Sequence, residues 1–173
     1  MLIIRKAERE DGAAAWAIRN AAILHQSAGH YPDEALRIWT EGAMPEAFAE
    51  EVASAFYVAV SGKRIVGTGT LQLDSGKVDA IFVHPDHMRQ GVGRRMLAFL
   101  EDLAREQGLD TLHLDATLNA VPFYRACGYQ GEAVSTYHSP RGIELDCIPM
   151  RKQLGPDNRL PPRGSHAARK GTS

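Results

Sequence analysis

Cysteine is scarce in this chain: there are two, Cys127 and Cys147, among 173 residues. A secreted disulfide scaffold needs a ladder of them. A zinc site needs Cys and His at ligand spacing, which the sequence does not show, so no metal is expected. Long hydrophobic runs are missing too. None approaches the ~20 residues that cross a bilayer. The first segment, MLIIRKAERE, turns charged at Arg5, where a signal peptide would stay apolar. Excess charge of either sign is absent. The formal net charge is −1, which argues against broad attraction to nucleic acid or to an anionic membrane. The expectation is a cytoplasmic protein with no nucleic-acid or membrane partner. What is present is an ordinary globular composition, 44% hydrophobic and 24% charged. The length suits one domain with its own core.

Periodicity predicts the elements. MLIIRKA reads as a strand, and residues 8–26 as a helix with Ala14, Ile18, Ala21 and Ala22 along one face. SAGHYP breaks it, and Pro32 opens a second short helix. PEAFAEEVAS adds a further helical turn. AFYVAV and RIVGTGTLQL, joined by SGK, read as a hairpin, and a strand follows over 77–83. Residues 91–107 predict a helix whose apolar stripe is Met96, Leu97, Leu100, Leu103 and Ala104, with Glu101 and its charged neighbours mostly outside it. Gly108 is placed to end it. TLHLDA is the next strand, so the strand–helix–strand unit implies parallel pairing through a right-handed crossover in an α/β chain. NAVPFYRACG reads as a shorter helix, with strands over 129–137 and 143–151 around the turn HSPRG. From Leu154 the sequence LGPDNRLPPRGSHAARKGTS loses apolar periodicity. Residues 154–173 are expected to be a mobile tail after a domain of residues 1–153.

The stretch FVHPDHMRQGVGRRML carries the first chemical signal. A strand runs into two glycines, Gly91 and Gly93, at the point where a helix should start, although glycine costs helix stability. A helix start leaves backbone N–H groups without internal partners and carries partial positive charge. Glycines without Cβ atoms let a phosphate sit against those groups, and Arg89, Arg94 and Arg95 add charge at the rim. A structural glycine pair is the other reading. The segment is not a Walker loop, and Met96 stands where a Rossmann fingerprint has its third glycine.

Followed about thirty residues later by AVPFYRACGY, the segment VHPDHMRQGVGRRML resembles the GNAT superfamily of acyl-CoA-dependent N-acetyltransferases. The similarity spans Met1 to about Gln153. HYPDEALRIW and DCIPMRK also look like a bacterial subgroup of undefined acceptor. The resemblance implies a mixed, V-splayed sheet of six or seven strands with about four helices. It implies acetyl-CoA as co-substrate. The pantetheine arm would extend the sheet along the backbone of Ile81, Phe82 and Val83, and the pyrophosphate would lie on the amides of Arg89, Gln90, Gly91, Val92, Gly93 and Arg94. Met88 departs from the family, which usually has Arg or Gln three residues before the first glycine. Thr117 departs as well, standing where Asn is common, while Asn119 lies two residues on. Either residue is a candidate for a pantetheine contact or for a helix cap.

For the chemistry, a neutral amine must attack the thioester, and the departing thiolate benefits from a proton. The resemblance places Tyr124 at the tyrosine that faces the sulfur, and a phenol of pKa ~10 is protonated at neutral pH. Packing beside Phe123 is its other reading. Asp79, on the strand entering the glycine turn, is the candidate base. Strand alternation puts it on one face with Lys77, Ile81 and Val83. His25, His30, His138 and Glu144 are further candidates. The acceptor, a small-molecule or peptide amine, is expected between the early helices and the last hairpin. His25, His30, Tyr31, Trp39, Tyr137, His138 and Arg141 are available there, with Tyr31 and Trp39 read first as core packing. The enzyme, a monomer or homodimer, would transfer acetyl directly. The alternatives are a catalytically silent acyl-CoA-binding domain and an aminoacyl-tRNA-acetylating toxin, the latter opposed by the balanced charge.

Overall fold

The computed structural model describes residues 1–155. The chain runs β1 (Leu2–Lys6), α1 (Gly12–Gln26), α2 (Asp33–Thr40), α3 (Glu46–Ala55), β2 (Phe56–Ser61), β3 (Arg64–Gln72), β4 (Lys77–Val83), α4 (Val92–Glu106), β5 (Thr111–Thr117), α5 (Val121–Ala126), β6 (Ser135–His138) and β7 (Glu144–Gln153). The strands form one seven-stranded sheet in the order β1-β2-β3-β4-β5-β7-β6. Only the β4–β5 pair among these is parallel, joined through α4 as the strand–helix–strand reading requires.

The two faces of the sheet are packed differently. Met96, Leu97, Leu100 and Ala104 of α4, with Val121 and Tyr124 of α5, bury one face against Val66, Val78, Leu112, Leu114 and Met150. On the other face Ala15 and Val52 meet Phe56 and Val58, while Ile23, Tyr31, Leu36 and Leu145 form a third cluster. α4 approaches β3 closely because β3 has glycines there. A Cβ on Gly67 would come within 2.9 Å of Val92, and one on Gly69 within 2.7 Å of Met96. The helix Gly12–Gln26 buries Ala15, Ile18, Ala22 and Ile23, so its inner stripe is rotated from the expected Ala14 and Ala21. The expected strand over 129–137 shortens to Ser135–His138, with Gln130 making an isolated bridge to Arg151.

The first residue of the expected tail packs against the domain. Leu154 is buried, and its N–H donates to Asp110 O at 2.7 Å. Residues 156–173 of the expected tail lie outside the described residues.

β1 is tied to the start of α1 by an ion pair. Arg5 Nη1 and Nη2 donate to Asp11 Oδ2 and Oδ1 at 2.7 and 3.1 Å, and the Glu8 amide donates to Oδ2 at 2.8 Å. The Arg5 hydrogen bond holds the Asp11 carboxyl below its ordinary value against the opposing effect of burial, with the Glu8 amide adding to it. A carboxyl whose folded pKa is depressed stabilises the fold above the unfolded value of ~3.9, and that contribution is lost as pH falls through the folded value. Urea unfolding from pH 6 downward should therefore show a stability loss that Asp11→Asn shallows. Parallel curves for wild type and variant would refute the assignment.

Candidate active site

The site begins as a failure of pairing. β4 and β5 share one register pair, Lys77 with His113. β5 meanwhile stays paired with β7 along its whole length, Thr111 to Thr117. Beyond Lys77 the two parallel strands diverge, and the β4 edge facing β5 carries backbone groups without a ladder partner. A strand edge of this kind accepts an extended polar chain.

β4 is also bulged. Thr68 pairs with Phe82 but Thr70 with Asp79, so three steps on β4 oppose two on β3. Ala80 takes the extra position with φ 51°. Left out of the β3 register, it donates its N–H to Asp79 Oδ1 at 2.8 Å, and its carbonyl accepts from the Thr68 hydroxyl at 2.8 Å. A bulge breaks the two-residue alternation. The shared face expected for Asp79, Ile81 and Val83 is therefore corrected. Val78, Ile81 and Val83 all pack on the α4 side, whereas Ala80 and Phe82 pack with the clusters of the opposite face, so Asp79, next after Val78, is turned away from the face of Ile81.

A cavity of about 520 Å³ opens at the splay, bounded by α1, α2, α3, β4, β5 and the β6–β7 hairpin. It brings together Tyr124, Asp79, Ile81, Phe82 and Asn119 from the expected site. Val83 and the turn from Arg89 to Arg94 lie outside its lining, at the end of β4 and the start of α4. In that turn Arg89 and Gly91 both have left-handed backbone, φ 62° and 81°. The first helical bond is Arg95 N to Gly91 O, 3.0 Å, so the amides of Val92, Gly93 and Arg94 precede the intrahelical ladder. A Cβ on Gly93 would meet Phe123 and Val83 at 3.4 and 3.5 Å, ordinary contacts. Protein packing does not require glycine there.

Tyr124 is buried, with its ring edge-to-face against Phe123 and Tyr129 at 5.1 and 5.8 Å. Among the described residues its hydroxyl has no hydrogen-bond partner. Burial, and then the negative charge of Asp79, push the phenol well above its ordinary value. It stays protonated at working pH and is suited to donate. Asp79 is exposed, and Lys77 pairs not with it but with Asp115, at 3.5 Å. Burial pushes both cysteine thiols up, so neither is poised as a thiolate nucleophile.

Neither Asn119 nor Thr117 caps α5. The N-cap is Ala120 without a side-chain hydrogen bond, and Asn119 Oδ1 accepts from the Ser27 hydroxyl at 3.2 Å. Tyr31, Trp39, Tyr137 and Arg141 line the cavity, whereas His25, His30 and His138 do not. His138 pairs with Glu144 at 3.3 Å on the exposed hairpin. Tyr31 is packing, as expected, but also a clasp: its hydroxyl donates to Asp146 O and accepts from Leu118 N at 3.0 Å, edge-on to Trp39. The reading of the sequence missed Trp16, Arg19, Lys77 and Asp115 in the lining. Their helical or strand periodicity carried no mark of what they would face.

The sequence matches the acetyltransferase (GNAT) domain family over residues 27–154. The chain belongs to this family and is an N-acetyltransferase. It is 31% identical over 88 residues to glucosamine 6-phosphate N-acetyltransferase of Schizosaccharomyces pombe, covering 43% of this chain and 79% of that protein. It is 34% identical over 82 residues to the uncharacterized N-acetyltransferase YjcF of Bacillus subtilis, 46% of this chain and 59% of that one. A crystal structure of a GCN5-related N-acetyltransferase from Rhodopseudomonas palustris superposes with a TM-score of 0.82 at 30% identity, covering 88% and 95% of the two chains. The structure of yncA from Salmonella typhimurium with its cofactor acetyl-CoA shares the fold, with a TM-score of 0.64 at 24% identity over 91% and 98%. No described helix is long and apolar enough to cross a membrane.

Proposed function

We propose that the protein transfers acetyl from acetyl-CoA directly to a primary amine of a small molecule or peptide, within the domain of residues 1–153. The observation that carries this is the β4–β5 divergence after Lys77, which leaves a strand edge open beside Tyr124. The pantetheine arm hydrogen-bonds the backbone of Ile81, Phe82 and Val83. Amides of the turn from Arg89 to Arg94 take the pyrophosphate, with backbone doing the work that Met88 cannot. Asn119 reaches the pantetheine from the far side of the splay. Tyr124 donates to the departing sulfur. Asp79, with Oδ1 engaged by Ala80, removes the amine's proton through water, since a carboxylate is a weak direct base for an ammonium. The protonated thiols of Cys127 and Cys147 support transfer without an acyl-enzyme.

Gly93→Ala tests the phosphate cradle apart from the fold. The added methyl fits the protein, and alanine for glycine in a helix stabilises by roughly 0.5–1 kcal/mol. The variant should melt at the wild-type temperature or above it. By calorimetry it should bind coenzyme A about tenfold or more weakly, because the methyl beside Val83 and Phe123 crowds the approach to the turn amides. Unchanged affinity would remove the cradle from the mechanism.

A further inference from the structure

Two arginines meet in the acceptor half of the cavity without a carboxylate between them. Arg19 comes from α1 and Arg141 from the β6–β7 turn, and both line the cavity that holds Tyr124. Their guanidinium carbons lie 4.8 and 5.8 Å from the same indole, that of Trp16. Part of each is structural. Arg19 Nη1 donates to Trp39 O and Asn20 Oδ1, at 3.2 and 2.6 Å. Arg141 Nη1 donates to Ile38 O at 3.0 Å and to Glu41 O. The bonds to the carbonyls of Ile38, Trp39 and Glu41 hold the C-terminal end of α2, and all of these bonds use one nitrogen of each fork. Among the described residues Nε and Nη2 of both are left over.

The acids that share the cavity do not answer this charge. Asp115 pairs with Lys77, and Asp79 Oδ1 accepts the Ala80 amide. Neither Glu51 nor Asp146 pairs with either arginine. Two like charges are therefore held together in a half-buried place, an arrangement that costs energy until an anion joins it. The cost is visible on Arg19, whose guanidinium is pulled below its ordinary value by burial and then by the charge of Arg141. Planar guanidinium forks match the oxygens of a carboxylate or phosphate, and Arg keeps its charge when partly desolvated.

We infer that the acceptor is an amine that also carries an anionic oxygen group, a carboxylate or a phosphate, bound by the free sides of Arg19 and Arg141 beside Trp16. This rests on the acetyltransferase reading and narrows its substrate class. The anion anchors one end of the acceptor, and its amine extends along the cavity toward Tyr124.

The chain's two tryptophans, Trp16 and Trp39, both line the cavity, so intrinsic fluorescence reports on it locally. Product-like probes are titrated with and without saturating coenzyme A: N-acetylglycine, N-acetylated phosphoethanolamine and the neutral N-ethylacetamide. The expected result is a saturable change with at least one of the two anions and none with the neutral amide in the same range. The better anion identifies carboxylate or phosphate. Arg19→Gln should weaken that binding by about 10–100-fold and leave coenzyme A affinity unchanged by calorimetry. Arg19→Lys, which keeps charge but not the fork, should recover part of it. Equal response to the neutral amide, or an Arg19→Gln variant that binds anions like wild type, overturns the inference. A wild-type protein that binds the anions but never coenzyme A would instead overturn the acetyltransferase reading and leave the anion site standing.

Discussion

Tyr124→Phe should lower kcat by about 10²–10³-fold with coenzyme A affinity unchanged, the usual worth of a positioned general acid. The substitution removes one oxygen and keeps the ring contacts with Phe123 and Tyr129. The hydroxyl has no hydrogen-bond partner among the described residues, so its loss strands no buried group. Stability should therefore change little, and the effect should appear in kcat rather than in folding. Burial and the Asp79 charge keep the phenol protonated. The kcat profile should then show no basic limb from Tyr124 below the ordinary tyrosine pKa of ~10. Its acid limb should report the amine together with the base that takes its proton. A kcat within about threefold of wild type would leave leaving-group protonation to solvent. The silent acyl-CoA-binding reading would gain if wild type bound coenzyme A and turned over no amine.

Lys152→Met should cost about 3 kcal/mol of stability, the lower end of what breaking a buried pair costs. Lys152 Nζ donates to both Glu101 carboxylate oxygens at 3.1 Å and to Cys127 O at 2.8 Å. The Tyr129 hydroxyl also donates to Glu101, at 3.3 Å. Side-chain exposure is 24% for Lys152 and 9% for Glu101, so the carboxylate is the deeper partner. Removing the ammonium leaves a buried carboxylate with one phenol. For a domain of this size the loss corresponds to a fall in Tm of roughly 10 °C. Adding Glu101→Gln removes the stranded charge while keeping an acceptor for Tyr129. The double variant should recover a large part of the loss. A single variant within ~1 kcal/mol of wild type would show that water reaches the carboxylate.

That pair marks a limit on what was legible. On the helical wheel Glu101 falls with the charged residues outside the apolar stripe of α4. α5, β7 and the segment at Tyr129 cover that flank in the fold. A hydrophobic stripe reports the face a helix turns to its nearest sheet, not what a distant segment later lays over its side. Asp79 is a second case. Its place in the strand was readable to the residue, but the face it presents depends on the extra position at Ala80. Nothing in KVDAIFV signals that bulge. By contrast the β2–β3 hairpin, the boundaries of β4 and the extent of α4 followed from turn residues and periodicity, because those effects act within a few residues.

By itself the sequence determined the order and kind of most elements, the glycine-led start of α4 and the family, since each is written in short-range pattern or in a contiguous motif. Tertiary structure alone decided that β4 and β5 part after Lys77, that Thr117 and Asn119 cap nothing, and that Arg19 meets Arg141 over one indole. These outcomes depend on which segments, far apart in the chain, win the same space. That competition is settled by packing and charge in three dimensions, where spacing along the chain carries no information.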